Sequence, residues 1–146
     1  GVALAEIYDA GNGSSARLIN VSSRGAVGTG SNALISGFVI AGDLSQRLLL
    51  RGVGPGLAQF SSAATVADPA LALYDATGLE LGNNDNWVSS VPQIAAATAS
   101  VGAFALANGS KDAAVLANLP AGAYTIQVTA PSSGSALLEI YEVSSF

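Results

Sequence analysis

The residues able to do chemistry are few, and what is missing narrows the field first. The chain has no His and no Cys. That removes Ser-His-Asp and Cys-His nucleophiles, thiolate metal sites and disulfides. Paired carboxylates, the machinery of glycoside hydrolysis, would have to come from Asp68, Asp75, Glu80 and Asp85. These fall at turns and strand ends, where acids are ordinarily solvated, and no spacing couples them. No catalytic residue is therefore expected.

The turn Gly82-Asn-Asn-Asp-Asn-Trp87 gathers oxygen donors at Asn83, Asn84, Asp85 and Asn86, the ligand type Ca²⁺ takes. The Asp-x-Asp-x-Asp-Gly spacing is absent and one carboxylate is few. The competing role is an Asx-rich turn bonding its own backbone, so no cofactor is expected, with Ca²⁺ as the alternative. Trp87 is the only Trp. Exposed, it would stack on a sugar ring; buried, it would anchor the core. Gly52-Val-Gly-Pro-Gly56 lacks the following Lys and helix start of a phosphate cradle and is expected to form a tight corner. Arg51 follows Leu48-Leu49-Leu50, so it is expected to be half-buried and to need a carboxylate partner.

The elements that must position these residues are strands. Gly and Pro punctuate the chain, and the runs between them are rich in Val, Ile, Leu and Tyr. Strands are predicted at Val2–Tyr8, Arg17–Ser22, Ala33–Ala41, Arg47–Gly52, Ala70–Tyr74, Ala113–Leu116, Ala123–Thr129 and Ala136–Val143. Tyr124, Ile126 and Val128 alternate with Thr125, Gln127 and Thr129, which predicts one buried face. Ser90-Val91-Pro92-Gln93 before an Ala-rich run reads as a helix start, with Ser90 as N-cap and an end near Gly102. The fold class is all-β: an antiparallel, jelly-roll-like β-sandwich with one short helix near 91–101.

The chain's 146 residues suit one domain. Only 10% are charged, against about 25% in a typical soluble domain. Ten acids outnumber five scattered bases, so nucleic acid is not an expected partner. No apolar run reaches the ~20 residues of a membrane span. The chain begins at Gly1 without Met, which is expected of a processed or excised product, signal-peptide removal being one route.

An internal repeat stands out. Gly1-Val-Ala-Leu-Ala-Glu-Ile-Tyr-Asp9 matches Gly134-Ser-Ala-Leu-Leu-Glu-Ile-Tyr-Glu142 at six of nine positions, offset by 133. The expected organisation is an extra N-terminal strand at 1–9, copying the last strand, and one sandwich over 10–146. Val2, Leu4, Glu6, Ile7 and Tyr8, with Leu137, Glu139, Ile140 and Tyr141, are the candidate assembly residues.

Two stretches carry a family resemblance. One runs from Arg17-Leu-Ile-Asn-Val-Ser-Ser-Arg-Gly25 through Gly28-Thr-Gly30 and Ile35–Ile40 to Leu49-Leu-Arg-Gly-Val-Gly-Pro-Gly-Leu57. The other comprises Asp68-Pro-Ala-Leu-Ala-Leu-Tyr-Asp75, Asn84-Asp-Asn-Trp87, Leu119-Pro-Ala-Gly-Ala-Tyr-Thr-Ile-Gln-Val128 and Leu138-Glu-Ile-Tyr-Glu-Val143. Together they resemble a tandem-repeat domain of large secreted bacterial proteins. The second is similar to the bacterial pre-peptidase C-terminal domain, a jelly-roll-like sandwich appended to secreted hydrolases. The resemblance implies an extracellular or cell-surface place and no reaction.

Two functions are expected from different classes. The first is a structural subunit of an extracellular filament or array, joined head to tail by β-strand addition to copies of itself or to neighbouring tandem repeats. The second is a carbohydrate-binding or adhesion module of a secreted hydrolase, which requires exposed aromatics such as Trp87, Tyr74 or Phe60.

Overall fold

A computed structural model describes residues 3–9, 17–87 and 92–143. Eight strands follow in order: β1 (Asn20–Val27), β2 (Leu34–Ile40), β3 (Gln46–Val53), β4 (Ala70–Asp75), β5 (Glu80–Asn84), β6 (Ala113–Leu119), β7 (Gly122–Thr129) and β8 (Gly134–Glu142). A 3₁₀ turn covers Pro55–Phe60 and one helix, α1, covers Pro92–Ser100. The strands form two antiparallel four-stranded sheets in the orders β1-β8-β3-β6 and β2-β7-β4-β5. The chain is thus an all-β sandwich, and the 1-8-3-6 and 2-7-4-5 orders are those of a jelly roll.

The interior follows strand periodicity. Tyr124, Ile126 and Val128 of β7 point inward and meet Leu71 and Leu73 of β4, with Leu48 and Leu50 of β3 and Leu138 and Ile140 of β8 opposite. The outer face of the first sheet is covered as well. Leu49 and Val53 pack there with Leu57, Trp87, Ile94, Ala97 and Leu106. Because β3 is buried on both faces, Leu48-Leu49-Leu50 reads as an unbroken apolar run.

Three local features show how the sequence makes its turns. Tyr124 Oη donates to the Pro120 carbonyl at 2.9 Å, which fastens the Pro120-Ala-Gly122 turn to the strand it launches. The Asp75 carboxylate accepts from the Thr77 and Leu79 amides and the Thr77 hydroxyl, closing the β4–β5 hairpin. Those bonds, the Thr77 hydroxyl first, hold its pKa below the usual aspartate value. After α1, Gly102 adopts a φ of 69°, with Gly102 N on Ala99 O and Ala103 N on Thr98 O. That is a Schellman stop, at the place expected for the helix end.

Three sequence expectations need correction or fall outside the described residues, and one strand was not expected. Residues 3–8 of the expected Val2–Tyr8 strand join neither sheet and are exposed. Among the described residues no strand pairs with them to satisfy a strand's backbone groups. Val2 itself, and Ser90 with Val91 at the expected helix cap, lie outside the described residues. The first strand begins at Asn20, three residues beyond Arg17. β5, Glu-Leu-Gly-Asn-Asn, was not anticipated: its residues are depleted in strands, and it forms because the β4 hairpin delivers it to the sheet edge.

Candidate functional site

The candidate site is the slot of the last strand. β8 lies between β1 and β3, antiparallel to both. Alternate residues serve two interiors. Ala136, Leu138 and Ile140 enter the space between the sheets, while Leu137 and Tyr141 pack under α1 and the loop before β6. Glu139 shares the latter face and stands in register opposite Arg51 of β3.

Arg51 is fully buried and Glu139 is 4% exposed. Arg51 Nε lies 3.0 Å from Glu139 Oε2, close in distance though without hydrogen-bond alignment. Arg51 Nη1 donates to the Phe104 carbonyl at 2.7 Å, and the Phe104 ring centroid lies 4.4 Å from the guanidinium carbon. Burial pulls the Arg51 pKa down, against the attraction of Glu139. Tyr141 Oη donates to Glu139 Oε1 at 2.7 Å. Burial, reinforced by that bond, pushes the Tyr141 hydroxyl up to about 12. The expected carboxylate partner of Arg51 is therefore Glu139, and the arginine is buried more deeply than its sequence context suggested.

The N-terminal copy carries the same internal bond without the surroundings. Tyr8 Oη donates to Glu6 Oε1 at 3.0 Å, with Tyr8 80% and Ile7 66% exposed. Asp9 Oδ2 accepts from the Leu18 amide at 3.1 Å, and Glu142 N donates to the Ile19 carbonyl. The stretch leading into β1 thus touches both copies. Arg17 also pairs with Glu142.

A second buried carboxylate was not anticipated. Asp112 is fully buried and accepts from Gly54 N (2.9 Å), Gly56 N (3.0 Å) and Ser110 Oγ (2.6 Å). It pins the Gly54-Pro-Gly56 corner. A Cβ on Gly54 would lie 2.4 Å from the Val66 carbonyl, so only glycine fits there. The tight corner is confirmed but begins at Gly54, since Gly52 and Val53 still belong to β3. The sequence signal for Asp112 was faint: an acid near an Asn-Gly turn, 56 residues from the corner it holds.

The Asn turn serves structure. Asn84 Oδ1 accepts from the Ala114 amide of β6 at 3.0 Å, and Asn84 Nδ2 donates to the Asn86 carbonyl. Asn83 Nδ2 donates to Glu80. As neighbours on β5, Asn83 and Asn84 point to opposite faces, so the four donors do not share one centre. No group of three or more acidic residues that could hold a metal is found among the described residues. Trp87 is 7% exposed, and Nε1 donates to the Ala107 carbonyl and Ser110 Oγ. Its ring packs with Ile94, Leu106 and Ala114 and cannot serve as the stacking platform.

No family model matches the chain, and no curated protein matches it. Among solved structures, the pre-peptidase C-terminal domain of a collagenase from Bacillus anthracis is similar. The TM-score is 0.51 and the identity 12%, over 84% of this chain and 89% of that one. The two share a fold, in line with the resemblance in the second half of the sequence.

The sandwich's two flanks differ. β5 and β6 face each other at one flank, tied by the Asn84–Ala114 bond. β1 and β2 are the terminal strands at the other. β2, Leu-Ile-Ser-Gly-Phe-Val-Ile, has no charge and exposes Ile35 and Val39. It lacks the charges that usually guard an edge. A shallow depression of about 330 Å³ on the outer face of the second sheet is lined by Ala72, Tyr74, Asn83, Asp85, Gln127 and Thr129, among others.

Proposed function

We propose that this chain is a non-catalytic structural module of an extracellular bacterial assembly, joined head to tail to copies of itself or to neighbouring repeats through its terminal strands. One observation carries this proposal. β8 fills its slot, while residues 3–9 of a six-of-nine copy of it lie exposed beside the entry to β1. A pattern buried on both faces in β8 and exposed in its N-terminal copy is suited to complete another sheet.

The remaining features agree. Of the four candidate acids, Asp75 holds its turn, Glu80 accepts from Asn83 and Asp68 pairs with Lys111, while the buried Asp112 and Glu139 serve the glycine corner and Arg51. Low charge and an unguarded β2 edge favour burial against partners. The extracellular placement draws on the shared fold with a domain of a collagenase.

The test is electron microscopy and sedimentation of the full chain with and without residues 1–9. Polymers that vanish on deletion support the proposal. A full-length chain that stays monomeric at high concentration sinks it.

A second reading, a glycan-binding module, is favoured by the depression around Tyr74, where one aromatic ring lies among amide and hydroxyl groups. A polysaccharide-binding screen with Tyr74→Ala as control decides it.

A further inference from the structure

We infer that the place of β8 between β1 and β3 is a recognition slot for strands of one pattern, that residues 3–9 are a second ligand for it, and that Arg51 reads the pattern. The inference rests on the proposal that the N-terminal segment is a joining strand. It adds where that strand fits and what selects it.

Register comes first. Shifting the N-terminal copy by the repeat offset puts Leu4 in the place of Leu137, Ile7 in that of Ile140 and Tyr8 in that of Tyr141. Glu6 then takes the place of Glu139, opposite Arg51. Direction and reach also agree. β8 runs antiparallel to β1 with Tyr141 opposite Asn20. A strand seated there with Tyr8 at that position ends beside the start of β1, and the chain from Asp9 to Ile19 closes the connection. The Asp9–Leu18 bond already holds the segment near that entry. The slot is therefore within reach of the chain's own N-terminal strand, as well as that of a neighbour.

Selection is supplied by charge. Arg51 is sealed from solvent, and Phe104 covers its guanidinium. A strand with no carboxylate at this register would leave a buried cation unpaired, which is heavily penalised. Both copies present Glu-x-Tyr, and in both the tyrosine hydroxyl already holds the carboxylate. The segment thus arrives with its recognition pair preformed.

One inward residue decides which copy wins. Leu138 is fully buried between the sheets, and its counterpart is Ala5. Ala at that position would leave a cavity. β8 therefore keeps the slot of its own sandwich, and the N-terminal strand is left for a slot of the same construction in an adjoining sandwich whose own last strand does not fill it.

The test exchanges that residue in the full chain. In Ala5→Leu/Leu138→Ala, amide exchange should slow by at least about tenfold at residues 4–8 and quicken correspondingly at 137–141. A disulfide trap reports the same event, since the chain has no native cysteine. Leu137 lies opposite Arg24, so Leu4→Cys/Arg24→Cys should cross-link in the exchanged background and Leu137→Cys/Arg24→Cys in the unexchanged one. Adding Glu6→Gln to the exchanged chain should abolish the 4–24 cross-link. If the double exchange does not fold, Ala5→Leu alone, which leaves β8 intact, should give a fractional 4–24 cross-link that Glu6→Gln removes. A folded chain with no 4–24 cross-link, or one indifferent to Glu6→Gln, overturns the inference. Cross-links confined within one chain, with no polymer by sedimentation, sustain the slot and sink the assembly proposal. Polymers without the cross-link do the reverse.

Discussion

Arg51 and Glu139 stand directly opposite one another on β3 and β8, 3.0 Å apart, and almost no solvent reaches either. The pair is costly to bury and more costly to break. Glu139→Gln should destabilise the sandwich by about 3–5 kcal/mol, because it leaves an uncompensated guanidinium. Replacing both residues with apolar ones of similar volume should cost far less. Denaturant melts of the single and double variants check this, and equal losses would contradict it.

The Asp112 carboxylate should behave as a structural keystone of the glycine corner. Asp112→Ala strips the Gly54 and Gly56 amides of their acceptor. Bonds to charged groups contribute about 1.5–3 kcal/mol each, so a loss of roughly 3 kcal/mol or more is expected. Denaturant melts measure the loss, and amide exchange at Gly54 and Gly56 locates it. A loss under about 1 kcal/mol would mean that the corner holds without the acid.

Alkali should remove the stability that Tyr141 contributes to the slot. The Tyr141 hydroxyl titrates near 12 in the folded chain, against about 10 when unfolded. A raised folded pKa means that the stabilisation is complete below pH 10 and is lost as pH rises toward 12. Stability measured from pH 9 to 12 should fall, and Tyr141→Phe should flatten that fall. An unchanged slope in the variant would assign the alkaline loss elsewhere.

Calcium should leave the protein unchanged. Asn84 spends its oxygen on the Ala114 amide, and Asn83 and Asn84 point apart. Melting temperature should be the same in millimolar Ca²⁺ and in EDTA, because a ligand that does not bind the native state does not stabilise it. A saturable rise with Ca²⁺ would place an ion at the turn.

What the sequence reveals here depends on whether the signal is local. Alternation in β7, the Pro120–Tyr124 turn and the helix stop at Gly102 involve residues close in the chain, and they are legible. Arg51 after three leucines already implied a carboxylate partner, and the Glu in the repeat offered one. β5 was hidden because an Asn-rich edge strand borrows its order from β4. Asp112 was hidden because the two amides it pins, those of Gly54 and Gly56, lie more than fifty residues away. Residues 3–8 of the Val2–Tyr8 segment join neither sheet of this chain for a different reason. Its residues have the pattern of a buried strand, but burial requires a neighbouring strand, and here β8 already occupies the place.

That contrast yields the sharpest measurement. Ile7 and Ile140 are the same residue at equivalent places in the repeat, yet Ile7 is 66% exposed and Ile140 7%. Ile140→Ala removes buried methyls from the core and should cost about 2–5 kcal/mol. Ile7→Ala removes none, so stability should stay within about 0.5 kcal/mol. If the N-terminal strand completes a neighbour's sheet, the ordering reverses for association. Ile7→Ala should then weaken assembly markedly by sedimentation while the monomer melts as before. Matching stability losses in the two variants would place residues 3–9 in their own sandwich's core. No effect of Ile7→Ala on either stability or association would remove the segment from the joint.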